Sequence, residues 1–356
     1  MESIEALQWL KKNNLFTECE RSAVFLKKIF IPCLGIRDEK ILIIGDKGEK
    51  GRDISAILSG GYYLAAKAMN INAKLVIQEK KKKGSIADND VIESLGSLEE
   101  NNVVFINTSN TLGSIKELGK SFRKLCHKKG YRFVSTPGLG NLERSKIDYI
   151  LNAINVDYRL LQVKHRKLKE QLDDAKEIQL KTPAGTDLSF NVEGTSAISA
   201  DGNYITPGSG GNLPAGEVYI PPNGKKVEGK FVIDVSSRNR ERTVIVKEPI
   251  TLTIEEGSIT NIEGGDEAKE LNETLDWAAS VSKHPASVRR IGELGIGLNP
   301  NAKVVGATII DEKALGTAHI GIGSNYWFGG SIYAKIHLDQ ICAAPEILLD
   351  GVKLVI

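Results

Sequence analysis

The chain has 356 residues, 41% of them apolar and 26% charged, which is enough for two domains that each bury a core. A net charge of +2 is too balanced for a nucleic-acid binder, and no apolar run reaches the ~18–20 residues of a membrane span. The four cysteines, Cys19, Cys33, Cys126 and Cys342, form no C-x-x-C pair, which disfavours a zinc ribbon or disulfide framework and fits a reducing cytoplasm.

The opening MESIEALQWLKKNN reads as a short amphipathic helix and not as a signal segment, and a second amphipathic stretch runs from about Glu20 to Ile31, ending at Pro32. Apolar strands then follow at Ile41–Ile44, Lys74–Ile77, Val103–Ile106 and Tyr131–Val134, with helices over Ile54–Met69 and Ile115–His127. Strands alternating with helices predict an α/β N-terminal domain with an open, mostly parallel sheet, over residues 1–172. Within it, Gly45–Gly51 occupies the place of a dinucleotide fingerprint. Its spacing is not G-x-G-x-x-G, and Asp46, Glu49 and Asp53 would repel a pyrophosphate, so it reads as a plain strand-to-helix loop. Lys80–Lys83 reads as a solvated loop. His127 and His165 sit among lysines and arginines, surroundings that disfavour a bound cation.

A charged helix of about Asp157–Ala175 carries the chain into a β-rich half, residues 173–356, read as an α+β metal-binding domain. The segments 177–182 and 187–192 alternate around Pro183-Ala184-Gly185 as a hairpin. Strands continue at Lys230–Val235, Thr243–Val246 and Thr251–Ile254, with a turn at Glu256-Gly257-Ser258, and a helix covers Ala268–Ala279. The Gly- and Pro-rich loop Pro207–Gly216 lacks the Lys-Ser/Thr of a P-loop and reads as a loop that delivers Glu217 to a site. Glu293 lies in an equally Gly-punctuated, strand-like setting. A charged side chain among buried-looking neighbours needs a partner.

The stretch Gly316–Asp339 is where the chemistry is expected. It holds two of the five histidines, His319 among small residues and His337. The alternation of Ser331–Asp339 places Tyr333, Lys335, His337 and Asp339 on one face of a strand. His337 and Asp339 would then point the same way with Cα atoms about 6–7 Å apart, a reach suited to one divalent cation. Taken alone, His-x-Asp is better explained by a surface strand that carries the pair by chance. His284 reads as a surface histidine, Cys126 and Ser209 lack the company of a nucleophile, and in Tyr326-Trp327-Phe328 core packing accounts for the last two.

Taken together, Gly185–Phe190, Asn212–Val218 with Pro221, Gly292-Glu293, Asp311-Glu312 leading into His319–Gly323, and His337-Leu338-Asp339 resemble the thermophilic metallo-aminopeptidases of the aminopeptidase T and aminopeptidase S type. The resemblance implies a homodimeric hydrolase that releases N-terminal residues from peptides. It implies Glu217, Glu293, His319, His337 and Asp339 as ligands of two divalent ions, zinc, cobalt or manganese. Glu293 would move the proton of the metal-activated water, and Tyr326 would donate to the developing oxyanion. A second reading on a similar scaffold is a ring-opening dioxygenase of dihydroxypyridine type with a single Fe(II), held by His319, His337 and Asp339. A third is a relative that kept the fold without activity.

Overall fold

The computed structural model describes residues 1–119 and 121–355. The chain divides into two compact units, one of residues 1–159 with 202–215 and the other of residues 160–201 with 216–356. Among the described residues no helix is long and apolar enough to cross a membrane.

The first unit is built on a five-stranded sheet in the order Ala73–Gln78, Ile41–Asp46, Val103–Asn107, Arg132–Thr136, Gly210–Asn212. Every neighbouring pair is parallel. Ile41–Asp46 and Val103–Asn107 are buried at every position, the burial that continuous apolar runs demand when helices cover both faces. One face packs Leu42, Ile44, Val104, Ile106 and Phe133 against Val91, Leu95 and Leu125. On the other, Phe105 lies against Phe30 and Tyr62, with ring centroids 5.5 and 4.6 Å apart.

Two expectations change here. The helix expected over Ile115–His127 is confined to Phe122–Lys129, behind a 3-10 turn at Lys116–Leu118. Gly119 at φ 147° breaks the run, and Ser121 restarts it by accepting a hydrogen bond from the Lys124 N–H; Lys120 lies outside the described residues. The Gly-rich stretch before Glu217 is also more than a loop. Its Gly210–Asn212 segment pairs with Phe133–Ser135 and closes the parallel sheet.

The second unit holds two seven-stranded sheets. One contains the hairpin expected around Pro183-Ala184-Gly185, pairing Ile178 with Phe190 and Leu180 with Leu188. It also contains the hairpin Ile250–Glu255 with Ser258–Glu263, where Glu256 and Gly257 take the positive φ that a tight turn requires. The other sheet runs Thr243–Ile245, Ser236–Arg238, His337–Ala343, Thr317–Gly323, Ile291–Gly297, Glu217–Ile220, Ile198–Ala200, antiparallel throughout. Its three central strands have nearly every residue buried or half-buried, although they carry carboxylates and imidazoles.

Candidate metal centre

Strand register assembles the site. In the antiparallel ladder Glu293 stands opposite Gly321, and Gly321 opposite Asp339. The neighbouring rows pair Gly295 with His319, Gly297 with Glu217, and Gly323 with His337. Directly opposed residues project from the same side of a sheet, so Glu217, Glu293, His319, His337 and Asp339 share one face. The glycines between them make room. A Cβ on Gly295 would lie 2.1 Å from His319 Cε1, and one on Gly321 would lie 2.7 Å from His337 Cε1 and 2.8 Å from Glu293 Cβ. Side chains at those two positions would push the imidazoles out of place.

Two overlapping donor sets result, Glu217, Glu293 and His319, and Glu293, His337 and Asp339, each with its ligand atoms within 4.8 Å of one another. Glu293 belongs to both and divides its oxygens. Oε1 lies 3.3 Å from His319 Nε2 and Oε2 lies 3.3 Å from His337 Nε2. Asp339 Oδ1 is 3.0 Å from His337 Nε2, and Glu217 Oε2 is 3.6 Å from His319 Nε2.

The tautomer of His337 decides what this cluster needs. Its Nδ1 lies 2.8 Å from the Ser324 carbonyl oxygen, so Nδ1–H donates there and Nε2 turns to the carboxylates. The lone pair of a neutral imidazole would then face oxygens of Glu293 and Asp339, an arrangement that repels unless a cation lies between them. Among the described residues Asp339 Oδ1 and His319 Nδ1 are buried without a hydrogen-bond partner, and for Asp339 Oδ1, which faces His337 Nε2, this agrees with that demand. Nitrogen and carboxylate donors with no thiolate suit a divalent first-row ion.

Protons on the imidazoles would meet the same demand for positive charge. Burial works to lower the two imidazole pKa values, yet the surrounding carboxylates outweigh it, leaving His319 at about 9 and His337 well above the ordinary histidine range. Burial works to raise Glu293 and Asp339, yet His319 and His337 hold the first, and chiefly His337 the second, below the usual carboxylate range. The pocket draws positive charge to Nε2 of both rings.

A cation is already in place on one side. Lys313 is 0% exposed and its Nζ lies 2.5 Å from Glu217 Oε1, with Glu312 as a second partner. Burial would lower its pKa, but Glu217 and Glu312 carry it above the usual lysine value. Asp311, the other half of the Asp-Glu pair, fixes the preceding turn instead, accepting from the N–H groups of Val305, Gly306 and Ala307 at 2.7, 3.1 and 3.0 Å. Burial raises its pKa to about 6.

The remaining expected residues fall differently. The strand expected from Ser331 begins only at His337. The segment before it is tied down by Asn325, which donates to Gly292 O and accepts from the Ile332 N–H, so Tyr333 and Lys335 leave the ligand face. Tyr326 is 56% exposed and stacks on Tyr333 with ring centroids 3.9 Å apart, and no hydrogen bond joins it to a ligand residue among the described contacts. Its neighbours are the ones that reach the site. Trp327 and Phe328 meet the His337 ring edge-on at 4.9 and 6.0 Å, although Trp327 was expected in a core and is 56% exposed. His165 is a buried side chain bonded to Ser199, with its pKa pushed down to about 3 by burial. Lys313, Gly295 and Gly321 were not read from the sequence. A lone lysine in Ile309-Ile310-Asp311-Glu312-Lys313-Ala314-Leu315 was the signal available for the first.

Comparison with known proteins bears on the reaction class. The NicX family model, described as 2,5-dihydroxypyridine 5,6-dioxygenase, matches residues 155–356, which include all five ligand candidates. A curated 2,5-dihydroxypyridine 5,6-dioxygenase of Pseudomonas putida KT2440 is 28% identical over 194 residues; the match covers 52% of this chain and about half, 54%, of that relative's own length. A solved dihydroxypyridine dioxygenase from the same organism shares the fold, with a TM-score of 0.72 over 95% of this chain and 96% of that one at 17% identity. AmpT from Thermus thermophilus shares it at a TM-score of 0.61 and 15% identity, over 97% of this chain and 100% of that one. The α/β plus β-rich architecture is therefore the one the aminopeptidase resemblance implied, but the activity it implied is not. Both the family model and the curated relative name an oxygenase, so the aminopeptidase, protease and hydrolase expectations are withdrawn. The two donor groups are still ones that could hold a metal ion.

Proposed function

Because the chain belongs to the NicX family, described as 2,5-dihydroxypyridine 5,6-dioxygenase, we propose that it opens a hydroxylated nitrogen heteroaromatic ring with dioxygen at one divalent iron held by Glu293, His337 and Asp339. The observation that carries the reading is His337 Nε2, turned by the Ser324 carbonyl into two buried carboxylates within 3.3 Å. Iron takes the place of zinc, cobalt or manganese in this reading because the family is described as a dioxygenase, and a closed-shell ion such as zinc has no redox chemistry to offer dioxygen. Bound there, iron(II) supplies the electronic access to dioxygen that a closed-shell ring lacks. A dihydroxypyridine has the electrons for the rest: both oxygen atoms end on the two carbons of the broken bond, and no external reductant is consumed.

The chain's own residues set the geometry. Glu293, His337 and Asp339 occupy adjacent rows of rigid strands, so their positions are fixed by the sheet and not by a loop. Trp327 and Phe328 beside His337 form an aromatic wall suited to a flat ring. His319 holds a proton at Nε2 against Glu293 and Glu217, and is the group placed to give or take one as a ring hydroxyl ionises. A reducing cytoplasm would keep both the iron divalent and the four buried thiols free.

The test is oxygen uptake by the anaerobically iron-loaded chain over a panel of dihydroxypyridines, with ring absorbance followed in parallel. Equimolar loss of oxygen and ring absorbance is expected. A folded, iron-loaded chain that consumes neither would overturn the reading.

A further inference from the structure

The two donor sets share Glu293 and would hold two ions if nothing else intervened. What intervenes is Lys313. The geometry points to Lys313 as the residue that limits this centre to one metal ion, its ammonium standing beside Glu217 where a second cation would otherwise bind. This inference rests on the single-ion reading above.

Three observations carry it. Lys313 Nζ engages Glu217 Oε1 at 2.5 Å, leaving that carboxylate only Oε2 to offer beside His319. The side chain is 0% exposed, so an incoming ion could not displace the ammonium into water. Its backbone is pinned as well, since the Lys313 carbonyl accepts from the Asn299 N–H at 2.8 Å and the Lys313 N–H donates to Ile310 O at 3.1 Å. A divalent ion among Glu217, Glu293 and His319 would therefore sit beside a fixed like charge in a low-dielectric interior, where such repulsion is strongest. Among the described residues, the ion pairs of the other set join His337 to Glu293 and Asp339, and Lys313 acts on Asp339 only at longer range. Glu217 and His319 are thereby left free for proton handling, and metal binding falls to Glu293, His337 and Asp339.

Cobalt(II) titration of the full chain, with bound metal counted by equilibrium dialysis and elemental analysis, tests the assignment. The wild type is expected to bind one ion tightly, with any second weaker by at least about a hundredfold. Lys313→Met and Lys313→Gln should each take two, with the magnetic coupling expected of ions bridged by one carboxylate, and Lys313→Arg should stay at one. Because these changes leave Glu312 without its partner, Lys313→Gln combined with Glu312→Gln is included to keep the fold. Two tight ions in the wild type would overturn the inference. So would a folded Lys313→Gln/Glu312→Gln variant that still binds one. Ring opening by the wild type is scored separately: one ion with no ring opening sinks the functional reading alone, and ring opening with unaltered metal counts in the variants sinks this inference alone.

Discussion

Asp46 in the first unit and Asp339 in the second are both buried carboxylates on central strands, and they are neutralised in opposite ways. Asp46 ends its strand against the protein's own donors: the Ser109 N–H at 2.7 Å, the Ser109 hydroxyl at 2.5 Å and the Gly48 N–H at 3.0 Å. Burial raises its pKa, and those donors oppose the rise. Asp339 instead faces an imidazole nitrogen and a shared carboxylate, with Oδ1 lacking a hydrogen bond. A buried charge that the chain satisfies by itself is a structural joint. One left to be satisfied from outside marks a place for a ligand.

If that contrast is right, the two aspartates should fail differently. His337→Ala or Asp339→Ala should remove metal retention and ring opening together while leaving the metal-free chain folded, because the mutual repulsion of the cluster is relieved; metal analysis and circular dichroism check both halves. Normal metal content in either variant would contradict the assignment. Asp46→Ala should do the reverse. Stranding the buried donors of Ser109 and Gly48 should cost about 3 kcal/mol in denaturant unfolding, with metal content per folded chain unchanged. Gly321→Ala sharpens the comparison at smaller amplitude. Its methyl would press on His337 Cε1 and Glu293 Cβ, and metal affinity should fall about 10–100-fold, the range typical of residues that orient ligands.

The smallest effect concerns pH. His165 is buried beside Ser199 and within the field of Lys313, with its pKa lowered to about 3 from the ordinary 6.5. Between those values the unfolded chain binds a proton there that the folded chain does not. Stability should therefore be complete above pH 6.5 and fall as pH drops, by at most about 1.4 kcal/mol per unit from this residue. In denaturant unfolding between pH 5 and 6.5, His165→Gln should show a shallower decline than the wild type; equal slopes would count against it.

Much of the architecture was legible because it follows from periodicity. Continuous apolar runs such as Ile41–Ile44 predict strands buried on both faces, and the alternation of 177–182 and 187–192 predicts a hairpin. The set Glu217, Glu293, His319, His337 and Asp339 came from the resemblance to the aminopeptidases, and the structure brings these side chains together as two groups that share Glu293. What escaped was anything set by register or by tertiary neighbours. Alternation from Ser331 to Asp339 fits an extended loop as well as a strand, and only the Asn325 ties separate the two. Gly295 and Gly321 gain their meaning only when His319 and His337 lie across from them. Lys313 reads as an ordinary charged residue until Glu217, far along the chain, is brought to its ammonium. The reaction class lies further still from sequence pattern, because the same five side chains suit hydrolytic and oxidative chemistry.

The most direct measurement is anomalous diffraction at the iron edge from crystals of the iron-loaded protein. The account predicts one peak per chain, lying among Glu293, His337 and Asp339, with Lys313 still paired to Glu217. Two peaks sharing Glu293, or one peak among Glu217, Glu293 and His319, would contradict it.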